Sequence, residues 1–421
     1  MIKLFLHPSQ IVTVDTKGKN IKRGTEMNDL SVVTGHSLLI ENNLIKDFIP
    51  DASVKKIFPD EILDVKDKII LPGFTECHTH TAFAGSRSDE FRQMLRGIHY
   101  EEIAKAGGGI NTTVNAVRNL SFDELVNICR PRVENFISQG VTTLEIKSGY
   151  GLDFENEIKL LKVINYLNTI FKIDIIPTFL GAHTFPKEFK NDHKGYVDLI
   201  VEKMLPYIAE NNLAEFCDGF CEKTAFSANE IDKIFSKAAG LGLGIKLHTE
   251  QFNSIGGIDA ALKYNAVSVD HLEVLKQQDL GKLTGSNTVA VLLPGVSFFL
   301  NYDYAPARKL IDSNAIVALA TDFNPGSSHI SGLAFIMSLA ALKMNMTVEE
   351  TISAVTINSA KALNLSEDRG SIEIGKRADL AVFNTNDFSD IVYSIGKNLN
   401  YMTIKNGNVI YSEPTRLGGK N

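Results

Sequence analysis

Ile69-Ile70-Leu71-Pro72-Gly73-Phe74-Thr75-Glu76-Cys77-His78-Thr79-His80 joins an apolar run to a His-x-His pair, and its reading decides the fold. The run through Phe74 has the length and composition of a buried strand. Side chains two apart on an extended chain project to one face, so both imidazoles can reach one ion. Taken alone the pair is a weak signal, because His-x-His also arises by chance in loops.

Seven further apolar runs follow the first, which spans Ile69–Phe74: Val141–Ile146, Asp174–Leu180, Glu215–Cys221, Gly244–Leu247, Val267–Val269, Val289–Leu293 and Ile316–Ala320. Segments of helical periodicity separate most of them, among them Glu155–Phe171, Gly195–Asn211 and Asn229–Ala239, the last opened by Ser227 as an N-cap. Eight such units predict an α/β fold, a (β/α)8 TIM-like barrel over residues 71–368. A doubly wound open sheet is the runner-up, but no Gly-rich phosphate fingerprint favours it.

The ends read differently. Gln10–Val14, Ser37–Ile40 and Leu44–Ile49 are short β-type runs, as are Ala378–Phe383, Tyr401–Ile404 and Val409–Ile410. Lys405-Asn406-Gly407-Asn408 is a strong hairpin turn. Neither end looks long enough to close a sheet alone, so residues 1–70 and 369–421 are expected to combine into one small β-sandwich domain.

The 44% hydrophobic and 22% charged composition is that of an ordinary soluble globular chain. A net charge of −7 gives no reason to expect nucleic acid or anionic membrane as a partner. Four cysteines in 421 residues do not make a disulfide framework, and Cys129, Cys217 and Cys221 read as reduced, buried thiols. His7-Pro8 interrupts the apolar N-terminus, and no run reaches the roughly 18–20 apolar residues that span a bilayer. The expected location is the cytoplasm.

Barrels carry their chemistry where the strands end. His78, His80, Tyr150, His183, Glu222, His248, His271 and Asp322 all stand at those ends, five of the chain's ten histidines among them. His78, His80, His248 and Asp322 would give one ion three nitrogen donors and a carboxylate, with a position left for water. A divalent ion lowers the pKa of water from about 15.7 towards about 7. Asp322 would take the proton, and His271 could polarise a scissile carbonyl or orient the water.

Longer motifs surround these residues. Phe83-Ala84-Gly85-Ser86-Arg87, Gly107-Gly108-Gly109-Ile110, Lys147-Ser148-Gly149-Tyr150-Gly151 and Phe179-Leu180-Gly181-Ala182-His183 come first. Lys246-Leu247-His248-Thr249-Glu250-Gln251, Ser268-Val269-Asp270-His271-Leu272 and Ala320-Thr321-Asp322-Phe323-Asn324-Pro325-Gly326-Ser327 follow. With Leu71–His80 they resemble the metal-dependent amidohydrolase superfamily and, within it, the imidazolonepropionase family, along nearly the whole chain. The resemblance implies hydrolysis of a cyclic amide, 4-imidazolone-5-propanoate, to N-formimidoyl-L-glutamate, one Zn2+ or Fe ion per chain, and a homodimer. It places Arg87 on the propanoate arm and Tyr150, His183, Gln251, Asn324, Gly326 and Ser327 around substrate or product. Asp322, His271 and Glu250 are the catalytic candidates, with the role of Glu250 open between proton shuttle and structural anchor.

Two departures from superfamily patterns sharpen this. Binuclear members carry a bridging carboxylated lysine at the end of strand four, where this chain has Glu222 followed by Lys223. Purine and cytosine deaminases usually place a glutamate three residues after the strand-five histidine, where this chain has Gln251. Glutamine cannot act as an acid, so the alternative of a guanine-type deaminase is disfavoured. Ala106-Gly107-Gly108-Gly109 is a candidate hinge for a loop closing over the substrate.

Overall fold

The computed structural model describes residues 1–98 and 108–413. Eight strands form one parallel sheet: β1 (Phe74–Glu76), β2 (Val141–Lys147), β3 (Asp174–Ala182), β4 (Phe216–Cys221), β5 (Gly244–Thr249), β6 (Ser268–His271), β7 (Val289–Leu292) and β8 (Ile316–Leu319). Each pairs with its neighbour in chain order. The sheet closes on itself just beyond the ends of β1 and β8. There Thr79 bridges Phe323 in parallel, the His80 N–H donates to the Phe323 carbonyl at 3.0 Å, and the Asp322 N–H donates to the His78 carbonyl at 3.1 Å. This is the expected barrel.

The first apolar run is not one strand. Ile69–Pro72 belongs to a different sheet, where it pairs antiparallel with Leu380–Phe383 and parallel with Gln10–Val12. Only after Gly73 does the chain enter the barrel as β1. A purely apolar run carries no mark of which sheet each half joins. Gly73 makes the crossing possible sterically: a Cβ there would lie 2.3 Å from Thr142 Cγ2 and 2.4 Å from its Oγ1.

Helices cover the outside of the barrel. Ala228–Gly240 begins as expected at Ser227, whose Oγ accepts from the Glu230 N–H while the Glu230 carboxylate accepts from the Ser227 N–H at 2.8 Å. The segment 193–210 is a continuous helix with one widened turn over Ile200–Met204, just ahead of Pro206. Proline has no N–H to give to the preceding turn, and a wider turn absorbs that loss. No described helix is long and apolar enough to cross a membrane.

The two chain ends build two small sheets. One is mixed and six-stranded, in the order Asn408–Ser412, Asn400–Lys405, Leu380–Phe383, Ile69–Pro72, Gln10–Val12 and Val32–Val33. The other has four strands, Leu44–Pro50, His36–Glu41, Ile2–Leu6 and Glu61–Asp64, all from the N-terminal end. One end therefore does complete a sheet alone, against expectation, through a hairpin of His36–Glu41 with Leu44–Pro50, a longer-range antiparallel pairing of Ile2–Leu6 with His36–Glu41, and a parallel return of Glu61–Asp64 onto Ile2–Leu6. Phe5, Leu38, Ile45, Ile70, Leu380 and Ile404 pack between the sheets as a core of their own. The hairpin turn is as read, with Asn406 at φ 49° and Gly407 at φ 71°. Lys405 Nζ lies 2.6 Å from both Asp379 and Asp174, and Arg369 also pairs with Asp174, which ties the small sheets to the start of β3. The four cysteines are buried and free.

Gly73→Ala should lower stability by about 1–3 kcal/mol through overpacking against Thr142. The chemical-denaturation midpoint measures it, and Thr142→Ala in the same chain should recover part of the loss. An unchanged midpoint in the single variant would show that the two segments separate freely.

Candidate metal centre and active site

His78 and His80 flank the closing bridge at Thr79, so the extended backbone that seals the barrel also aims both imidazoles to one side. His248 lies on β5, and Asp322 stands three residues beyond β8 with φ 48°, an unusual backbone for a residue with a side chain. The donors converge. Asp322 Oδ1 is 3.4 Å from His78 Nε2 and 3.2 Å from His80 Nε2, and His80 Nε2 is 3.5 Å from His248 Nε2. The three imidazoles form a buried group able to hold a metal ion.

The donor set fits such an ion on its own chemistry. His78 Nε2 and Asp322 Oδ1 are buried and have no hydrogen-bond partner. Ligands about 2.0–2.1 Å from a common tetrahedral centre stand about 3.3–3.4 Å apart, close to the 3.2–3.5 Å between Asp322 and His78 or His80 and between His80 and His248. Burial pushes His80 down and His248 well below the ordinary histidine range, leaving them the neutral donors a metal needs. For His78, burial and Lys147 oppose the charge, yet Asp270 and Asp322 raise it to about 9, so a proton competes with a metal for the same nitrogen. Burial opposes ionisation of Asp322, but His78 and His80 outweigh it and hold the carboxyl well below its usual range.

Carboxylates stand behind two of the three histidines. Asp270 Oδ2 is 2.5 Å from His78 Nδ1, and Asp218 Oδ1 is 3.1 Å from His248 Nδ1. These bonds fix the tautomer that presents Nε2 inward. Between the two carboxylates lies Lys147, with Nζ 2.8 Å from Asp218 Oδ2 and 2.9 Å from Glu145 Oε1. The sequence reading missed this layer. Its signal was present as charged residues inside apolar strands, Glu145 and Lys147 on β2 and Asp218 on β4.

Above the donors is a small cavity with a largely polar lining. It gathers most of the expected residues: His80, Arg87, Tyr150, His183, His248, Gln251, His271, Asp322, Asn324, Gly326 and Ser327. Phe220 and Ile110, not singled out from sequence, complete the wall. His183 is pushed down to about 3 by burial and the neighbouring His80, and its Nδ1–H donates to the Gly149 carbonyl at 2.9 Å. The loop carrying Tyr150 is pinned by Glu157, whose carboxyl accepts from the N–H groups of Gly149, Gly151 and Leu152.

Arg87 is buried, and its Nε donates to Glu90 at 2.7 Å. Its guanidinium lies on the backbone of Gly326, where a Cβ would come 1.9 Å from Nη1. Asn324 works mainly as a brace. Its Oδ1 accepts from the Gly326 and Ser327 N–H groups at 2.8 Å, and its Nδ2 donates to the Asp322 carbonyl. His271 ends β6 at φ 88°, with Nδ1 3.4 Å from Glu273.

Besides His78, which lies among the donors and not on the wall, two expected residues stand back from the cavity. Glu222 accepts from the N–H groups of Phe252, Asn253 and Lys223, each at 2.9 Å. Glu250 is buried among Ser254, Asp279 and Lys276, and burial raises its carboxyl to about 7. Of the hinge candidate, Ala106 and Gly107 lie outside the described residues.

Removing metal with a chelator should lower the melting temperature and added Zn2+ should restore it. A ligand at a hundredfold its Kd stabilises by about 2.7 kcal/mol. In His80→Ala the response to Zn2+ should shrink or vanish; a full response in that variant would place the ion elsewhere.

The Amidohydrolase family model matches residues 69–410. The chain is 41% identical to the imidazolonepropionase of Flavobacterium johnsoniae over 411 residues, covering 97% of this chain and 100% of that one. It is 40% identical to that of Clostridium tetani (96% and 97% covered) and 42% identical to that of Geobacillus thermodenitrificans (92% and 93% covered). Among solved structures, a triazine hydrolase variant superposes with a TM-score of 0.73 at 15% identity, covering 98% of this chain and 95% of that one. Escherichia coli guanine deaminase does so at 0.71 and 14%, covering 98% and 99%. A zinc-bound adenosine deaminase from Xanthomonas campestris gives 0.69 and 15%, covering 97% and 92%. At such low identity these structures speak for the fold alone. The sequence relatives go further, and by them the chain belongs to the imidazolonepropionase family of amidohydrolases.

Proposed function

We propose that the chain opens the ring of 4-imidazolone-5-propanoate by adding one water across its cyclic amide, giving N-formimidoyl-L-glutamate. The water oxygen ends on the carbonyl carbon, the ring C–N bond breaks, and the nitrogen stays in the product, so no ammonia leaves. The observation that carries this reading is that one cavity holds both the histidine–Asp322 group and, lying on Gly326, the Arg87 guanidinium. A ring amide and a carboxylate arm on one small substrate need both.

A bound ion would supply a water acidic enough to ionise near neutral pH and a positive charge for the developing oxyanion. His78, His80, His248 and Asp322 are the residues that would hold it. Three imidazoles and a carboxylate suit zinc and iron alike. We favour one ion per chain because Glu222 spends its oxygens on backbone N–H groups at the place where a bridging ligand would stand. Asp322, ionised beside His78 and His80, takes the proton from water. His271 faces the cavity, where it can donate to the carbonyl oxygen or steer the water. Arg87 holds the propanoate through a planar fork of donors, with Tyr150, His183, Gln251, Asn324, Gly326 and Ser327 lining the rest of the substrate site. Glu250, poised near neutrality but set behind the wall, fits a relay between cavity and surface better than direct contact. On the family resemblance we also propose a cytoplasmic homodimer.

The deaminase reading lacks its acid. Gln251 faces the cavity at the position three residues after His248, and among the described residues the only carboxyl on the wall is that of Asp322.

The direct test is the loss of ultraviolet absorbance from freshly generated imidazolone propanoate, and no loss with metal-loaded protein would end the proposal. Asp322→Asn should abolish turnover while the fold survives by circular dichroism; wild-type activity would remove Asp322 as the base. Arg87→Ala should raise KM with a smaller change in kcat, by about 1.5–3 kcal/mol or roughly ten- to 150-fold. An unchanged KM would take Arg87 out of the substrate site.

A further inference from the structure

We propose that Lys147 is a positioning residue for the metal centre: its buried ammonium holds Asp218 and Asp270 in the orientations in which they fix the His248 and His78 imidazoles. Lys147 is fully buried at the end of β2, and its neighbours in this layer come from alternate strands, Asp218 on β4 and Asp270 on β6. A (β/α)8 interior is layered in this way, so the three side chains share one level beneath the ligands.

Asp218 Oδ2 takes Lys147 Nζ at 2.8 Å, while Oδ1 takes His248 Nδ1 at 3.1 Å and the Gly219 N–H at 2.7 Å. The backbone N–H anchors one oxygen and the ammonium the other, so without the ammonium the carboxylate can turn about Oδ1 and the angle at which the imidazole is held is lost. Asp270 is braced on both sides. Its Oδ2 meets His78 Nδ1 at 2.5 Å and lies 3.9 Å from Lys147 Nζ, while its Oδ1 accepts from Ser268 Oγ at 2.6 Å. One cation thus serves two ligand histidines. Glu145, 2.9 Å from Lys147 Nζ on its Oε1, also accepts from Thr178 at 2.6 Å and lies 3.5 Å from Lys246, which fixes the ammonium in turn.

His80 differs from the other two. Its Nδ1 is buried without a hydrogen-bond partner, so no carboxylate fixes it. The aim of the two supported rings therefore decides where the donors converge. A buried ion pair that only stabilised the barrel would not need its carboxylates to reach through to the ligand nitrogens. Removing a partner behind a metal ligand typically weakens metal binding about 10- to 100-fold.

The test measures Zn2+ affinity of the full chain by competition with a chromophoric chelator, alongside the melting temperature of the metal-free protein. Lys147→Met and Asp218→Asn should each weaken Zn2+ binding about 10- to 100-fold, and the double variant should fall well short of the product of the two effects. Zn2+ affinity within twofold of wild type in Lys147→Met, with only a lower melting temperature, would overturn the proposal, as would fully multiplicative effects. If Lys147→Met does not fold, the charge-balanced double variant carries the test. Binding weaker than that of Asp218→Asn, because Asp270 also loses its cation, would support the proposal, and binding equal to that of Asp218→Asn would overturn it.

Discussion

The structure depends on a short stretch of backbone pairing, the one that closes the barrel. β1 and β8 both stop early, at Glu76 and Leu319, and the cylinder is completed past their ends by residues 78–80 against 322–323. Glu76 staples this seam from below, accepting from the His78 N–H at 3.1 Å and from the Thr321 N–H at 3.1 Å, although burial raises its carboxyl to about 8. Three of the four proposed metal donors, His78, His80 and Asp322, therefore belong to the closure itself. Peptide geometry brings the backbones of His78, His80 and Asp322 together, and the contacts behind the rings then set how the side chains are aimed.

Beneath the seam the barrel interior is unusually polar. Glu145, Lys147, Asp218, Lys246 and Asp270 are all fully buried. Taking charges out of water is expensive, and such a layer stabilises less than apolar packing would. Burial opposes ionisation of Asp218, yet His248 and Lys147 keep it well below its usual range, so the charges persist by mutual support. Four residues at or just past the strand ends around the cavity, Glu250, His271, Leu272 and Asp322, have positive φ. Each such residue costs on the order of 1–3 kcal/mol and survives only where its surroundings enforce it. Stability has been traded here for fixed donor directions.

Much of this was legible from sequence because a (β/α)8 fold puts its chemistry at strand ends, and histidines at those ends stand out against apolar runs. His78, His80 and His248 form one buried group with Asp322 beside His78 and His80, and Arg87 lines the same cavity. The rest lay in features that a linear pattern does not carry. Ile69–Phe74 gives no sign that Gly73 divides it between two sheets. Asp218 and Asp270 read as strand residues until the pairing of β4, β5 and β6 brings them behind imidazoles. Asn324 sits in the expected motif, but most of its hydrogen bonds shape its own loop. Glu222 and Glu250 also follow strands, yet neither lines the cavity: both are buried, and the Glu222 carboxyl accepts from backbone N–H groups.

The crossing at Gly73 bears on how the molecule is assembled. Ile69–Pro72 is a central strand of the six-stranded sheet, flanked by one strand from each end of the chain, and His78 follows six residues after Pro72. The first two ligands are thus mounted on a strand whose neighbours are the N- and C-terminal segments. The small sheets act as the foundation of the metal centre, and trimming either terminus to obtain a minimal barrel would loosen the footing of the histidines that the barrel exists to present.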